Sequence, residues 1–163
     1  MTSDRRPPSS PLTDHPAPES IVAWQPAGAI TRDQFIADVA QLAALLPAAG
    51  HILNICQDRY HFLVGFAAAV LAGRISLLPP SITPETIARL RTETPDLVCL
   101  HDSPLDGVDL PGLAFPAPAP APAGPLPVPE IPGDRVVAHV YTSGSTGVPL
   151  THRKTWGSLV VNA

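Results

Sequence analysis

The sequence predicts an open α/β sheet, mostly parallel and flanked by helices. Three observations lead there. Short apolar runs alternate with helical patterns of about 10–15 residues, the rhythm of βαβ units. The runs are apolar throughout rather than at every second position, as in strands buried on both faces. A stretch of Thr, Ser and Gly follows directly on the last clear strand, where open sheets carry their ligand sites. Strand twist then makes the crossovers right-handed.

The elements follow in order. Residues 21–24 form a short strand. Thr31 is a helix N-cap, with Gln34 three residues on to complete a capping box. Phe35, Val39, Leu42 and Leu46 recur at helical spacing as one apolar stripe, and Pro47 and Gly50 end the helix. Residues 51–56 are a strand. Asp58 caps a helix over 59–72 that is apolar nearly all round and therefore buried on most sides. Its apolar run from Phe62 to Ala72 is 11 residues long, too short for a membrane span of about 20. Gly73 closes it, and residues 74–78 return as a strand. Thr83-Pro84-Glu85 combines a cap, a proline at the first helical position and a first-turn acid, so a helix runs to about residue 93. Strands follow at 96–100 and 135–141, and a last helix is expected from Thr151.

Composition narrows the classes. The chain has 163 residues, 22 of them proline, about 13% against a usual share of roughly 5%. With 11 glycines it cannot be collagen, and with 45% hydrophobic and 15% charged residues it is not a wholly disordered chain. A net charge of -4 gives no footprint for nucleic acid or an anionic membrane surface. Five prolines fall in residues 1–20 and ten in residues 101–132, so the excess belongs to two tracts. Residues 1–20, polar and Pro-rich, read as a disordered leader; Arg5 and Arg6 lack the apolar stretch a secretory signal needs. Residues 103–133 read as a Pro/Ala-rich spacer, extended as polyproline II around residues 116–123, within one folded unit spanning 21–163. Shortening 116–123 is then expected to leave the fold largely unchanged. Cys56 and Cys99 have no CxxC neighbour and no His at metal spacing, and read as buried thiols in a reducing, cytoplasmic compartment.

The chemistry lies in Tyr141-Thr-Ser-Gly-Ser-Thr-Gly-Val-Pro149. Gly144 and Gly147 let the backbone turn and approach a ligand; Thr142, Ser143, Ser145 and Thr146 add hydroxyls to exposed N–H groups. Such a concave donor set suits phosphate oxygens. It is not a Walker A loop, since Val148 follows Gly147 where Lys is required, nor a dinucleotide loop, which needs a third glycine. It contains no Gly-x-Ser-x-Gly elbow, so Ser145 is not read as a nucleophile. On spacing alone a flexible turn remains the competing reading. Trp24 and Trp156 read as packing residues, and His61 and His101 as structural. Asp96 and Asp102 form no acid/base pair.

This segment resembles the signature loop of the adenylate-forming enzymes: acyl-CoA synthetases, peptide-synthetase adenylation domains and luciferases. The likeness extends upstream through residues 31–46, 54–73, Leu77-Leu-Pro-Pro80 and Thr83-Pro-Glu85 in the same order. It implies a two-step ligase in which a carboxylic acid and ATP form an acyl-adenylate, and a thiol of coenzyme A or a phosphopantetheine-bearing acyl carrier protein then takes the acyl group. It implies further that Thr142, Ser143, Gly144, Ser145, Thr146 and Gly147 contact the β- and γ-phosphates and that the Thr146 hydroxyl approaches Mg²⁺. Where the family carries Lys after the proline this chain has Leu150, and Lys154, with Arg153, is the substitute cation. The later parts of such enzymes would lie beyond Ala163, so no catalytic residue is identifiable, and the length predicts a fragment inactive alone. The rival reading is a non-catalytic α/β scaffold or degenerate pseudo-ligase.

Overall fold

The computed structural model describes residues 8–142 and 150–162. In chain order the elements are β1 (Ser9–Pro11), β2 (Ile21–Gln25), β3 (Gly28–Thr31), α1 (Arg32–Leu45), β4 (His51–Asn54), α2 (Arg59–Leu71), β5 (Ile75–Leu78), α3 (Pro84–Glu93), β6 (Leu97–His101), β7 (Gly112–Ala114), β8 (Glu130–Pro132), β9 (Val136–Thr142), β10 (Leu150–Thr155) and α4 (Trp156–Val160). Six strands form the main sheet in the order β10-β9-β5-β4-β6-β7. All its pairings are parallel except β9 with β10. The open, mostly parallel α/β fold read from the sequence is the fold observed.

The helices start where their caps dictate. Thr31 accepts from Gln34 N, Asp58 from Tyr60 N and His61 N, and Thr83 from Thr86 N, each satisfying a free N–H of the first turn. The return arm expected of a Thr31–Gln34 box is missing, because the Gln34 amide reaches Asp38 and Ala119 O instead. Phe35, Val39, Leu42 and Leu46 are all buried, as their spacing requires. Alternation along β4 sends Ile52 to the α1–α2 side and Leu53 to the side that buries Leu77, Leu90 and Leu97, so the sheet is covered on both faces.

Three expectations are corrected. Residues 8–20 are not a disordered leader: β1 pairs antiparallel with β8, Leu12 is buried, and Leu12 N donates to Pro129 O at 2.8 Å. Charge decided against the compositional reading, since the Arg32 guanidinium reaches Pro16 O at 3.2 Å and fixes the segment to the start of α1. The Pro/Ala tract is not a free spacer either. Residues 117–119 lie along α1 as a strap, with Ala119 N donating to Asp38, Ala119 O accepting from Gln34 and Ala117 O from Gln41. Polyproline II leaves its backbone groups unpaired, so polar helix side chains can claim them. Farther along, Leu126 N donates to Asp33, and Phe115, Leu126 and Val128 pack on the main core. Finally, residues 150–155 are strand β10 rather than the start of a helix; α4 begins only at Trp156, capped by Thr155 in a full capping box. Thr151 and Thr155 favour extended backbone, and pairing with β9 draws the residues between them into the strand.

Candidate functional site

The phosphate-loop candidate is framed by β9 and β10. Leu150 pairs with Thr142, His152 with Val140 and Lys154 with Ala138, closing a hairpin around residues 143–149. Ser143, Gly144, Ser145, Thr146 and Gly147 lie outside the described residues. Thr142 sits at the carboxyl end of β9, exposed, with its Oγ1 3.3 Å from His152 Nε2. The structure thus brings Thr142 and His152 together at the mouth of the loop. Lys154 is not part of that group: it is four residues down β10 from Leu150, about 14 Å at strand rise. Leu150, at the mouth, is exposed.

Farther down β9 a second set of polar groups surrounds the half-buried His139. The His139 and His51 rings lie 5.9 Å apart, Arg153 pairs across from His139, and His51 Nδ1 is 3.0 Å from Asp96 Oδ1. His139 Nε2 is buried without a hydrogen-bond partner among the described residues. Burial first, then the charges of His51 and Arg153, hold the His139 pKa below the ordinary 6.5. The folded chain therefore binds fewer protons at His139 than the unfolded chain does. Its contribution to stability is full above pH 6.5 and is lost as pH falls through the lowered pKa. In urea titrations the midpoint should fall from pH 7 to pH 5, and His139→Gln should flatten that slope without abolishing the acid limb below the carboxylate range. An unchanged slope would remove His139 from the account.

Asp102 organises a second His–Asp pair. It accepts from Gln57 N at 2.9 Å, Asp58 N at 3.0 Å and His61 Nδ1 at 3.0 Å. Burial alone would raise its pKa, but the Gln57 and Asp58 bonds, with His61, outweigh it and hold the carboxyl below its usual range. The Nδ1 edge of His61 is thereby held in a structural bond, as its sequence surroundings imply, and so is that of His101, whose Nδ1 lies 2.7 Å from Ser103 O. Trp156 is a packing residue as expected, but Trp24 is not: at 75% exposure it stands on the β2–β3 hairpin in solvent. Burial pushes Cys56 to about 12 and Cys99 to about 11, so both thiols stay protonated and unreactive at neutral pH.

Sequence reasoning missed both His–Asp pairs. His51 and Asp96 are 45 residues apart and His61 and Asp102 are 41 apart. They meet because β4 and β6 are neighbours although β5 lies between them in sequence. No local signal pointed to either pair, because each joins residues more than 40 positions apart. Among the described residues no three His, Cys, Asp or Glu side chains gather as a metal-holding group, and no helix is long and apolar enough to cross a membrane.

No protein-family model matches the sequence, and no curated protein matches it. Solved structures do. The chain superposes on O-succinylbenzoate coenzyme A synthetase (MenE) of Bacillus subtilis, solved with AMP, with a TM-score of 0.73 and 18% identity over 95% of this chain and 45% of that one. It superposes on MatB of Rhodopseudomonas palustris at 0.67 and 18% identity, over 89% of this chain and 33% of that one. With the N-terminal subdomain of Klebsiella oxytoca NpsA the values are 0.63 and 16%, over 83% and 37%. These are adenylate-forming enzymes, and the chain has the fold of part of them. It spans less than half the length of each.

Proposed function

We propose that this chain, which carries part of the fold of the adenylate-forming enzymes, supplies the triphosphate-holding part of an ATP-dependent acid–thiol ligase. What carries the reading is the Thr/Ser/Gly run leaving the carboxyl end of β9, a strand internal to the sheet. ATP supplies the adenylyl group that activates a carboxylic acid for transfer to a thiol, that of coenzyme A or of an acyl carrier protein, in the cytoplasm. The chain's own work is positioning. Backbone N–H groups and the hydroxyls of residues 142–146 hold the β- and γ-phosphates against movement, which is charge stabilisation without covalent chemistry by the protein.

The residues fit such a ligand at the loop mouth, where Thr142 and His152 form a polar, exposed pair, while Lys154, farther down β10, stands away from it. Mg²⁺ is carried in by phosphate oxygens, with Thr146 offering a hydroxyl to it. On its own the chain binds ATP without turning it over.

The second reading, a degenerate pseudo-ligase or non-catalytic scaffold, is favoured by one observation, the exposed Leu150 where the family carries lysine. Calorimetric titration separates the two. Under the first reading ATP and tripolyphosphate bind and AMP does not, and Leu150→Lys tightens ATP by about ten-fold through a charge-assisted bond to phosphate. Equal affinity for AMP and ATP, or no gain from Leu150→Lys, would favour the scaffold.

A further inference from the structure

We propose a second binding site, for a neutral aromatic molecule bearing an O–H or N–H donor, in the half-open cleft between α1, α2, the β2–β3 hairpin and the Pro/Ala strap. The cavity holds about 450 Å³ and is walled by Ile30, Tyr60, His61, Phe115, Pro118 and Ala119. That size and mostly apolar lining are those of small-molecule sites. It is separate from the phosphate loop: His61 and Asp102 stand at the end of β6, three strand spacings from β9, about 14 Å. The inference is therefore independent of the ligase reading.

Charge sets the ligand class. No Lys or Arg lines the cavity, and the Asp38 carboxylate does, so an anion is rejected there. Asp38 is not itself the anchor. Its oxygens already accept from Tyr60 OH at 2.5 Å, Ala119 N at 2.8 Å and Gln34 Nε2 at 3.0 Å. The unspent group is His61. Its Nδ1 faces a carboxylate that can only accept, so Nδ1 carries the hydrogen, and Nε2 on the opposite edge of the ring is the nitrogen left to accept from a ligand. No described residue bonds that nitrogen. Phe115 stacks on the same ring at 4.0 Å between centroids and 20° between planes, which fixes it from the other side. A flat ring with one donor satisfies both the apolar wall and the acceptor.

Fluorine NMR titration with 4-fluorophenol, 4-fluorotoluene and 4-fluorobenzoate near neutral pH tests this. The phenol should saturate about ten-fold more tightly than the toluene, the worth of one sheltered hydrogen bond, and the benzoate should not saturate. His61→Phe keeps the wall and the stack but removes the acceptor, so the phenol's advantage should fall to about parity. Saturation by none of the three, benzoate binding as tightly as the phenol, or an advantage surviving His61→Phe would overturn the assignment. Should His61→Phe fail to fold, through-space contacts from the bound phenol to the Tyr60 and Phe115 rings of the wild type decide: their presence supports the site and their absence overturns it.

Discussion

Asp38→Ala is expected to cost about 3 kcal/mol, read as a fall in the urea midpoint, because it leaves the buried Tyr60 hydroxyl and the half-buried Ala119 N–H without an acceptor and deprives Gln34 of one of its two. Against a total stability of about 5–15 kcal/mol for a domain, that is a large share. Asp38 is only 7% exposed, and its carboxylate joins α1 to α2 through Tyr60 and α1 to the strap through Ala119. A finer pair of substitutions isolates the strap. Ala119→Pro suits polyproline II but deletes the N–H that Asp38 accepts, and should cost about 1 kcal/mol. Ala117→Pro, where only the carbonyl is engaged, should cost nothing or stabilise slightly. Equal effects at 117 and 119 would mean the strap is not held by Asp38. Shortening residues 116–123, expected from composition alone to be tolerated, should instead destabilise the protein.

Trp156→Ala should cost about 3–4 kcal/mol, the usual loss for a large aromatic cut from a core. The ring is 9% exposed in the main core, and its Nε1 donates to Ser10 O at 3.2 Å. Around it the chain is tied in a ring: Gly157 N donates to Gly133 O and Gly133 N to Pro8 O, each at 2.8 Å. A Cβ on Gly133 would meet Pro8 O at 2.6 Å, so this close approach needs glycine. Loss of the ring should free residues 8–12, and limited proteolysis should cut there before the rest of the variant unfolds. Resistance equal to wild type, with an unchanged urea midpoint, would mean that β1 and α4 do not stabilise one another.

The main sheet and its helices were legible because their signals are local. Thr31, Asp58 and Thr83 announce their helices by hydrogen bonds within three residues, and Phe35, Val39, Leu42 and Leu46 show their shared face by spacing alone. The candidate loop was legible for the same reason, as one uninterrupted run after one strand. What stayed hidden depends on partners far away in sequence. Proline density says that a segment lacks regular hydrogen bonding; it does not say whether Asp38, 81 residues distant, supplies a bond instead. Likewise β10 is a strand because β9 offers it an edge, and His61 finds Asp102 because β6 crosses to lie beside β4.

The central claim is that residues 142–147 hold the β- and γ-phosphates of ATP. Phosphorus NMR of ATP titrated with the chain tests it most directly, because each phosphate is read separately. The account predicts that the β and γ signals shift and broaden while the α signal moves little, and that Thr142→Val, which leaves the strand but removes the hydroxyl beside His152, weakens the effect several-fold. Equal perturbation of all three signals that Thr142→Val leaves unchanged, or none at millimolar ATP, would contradict it.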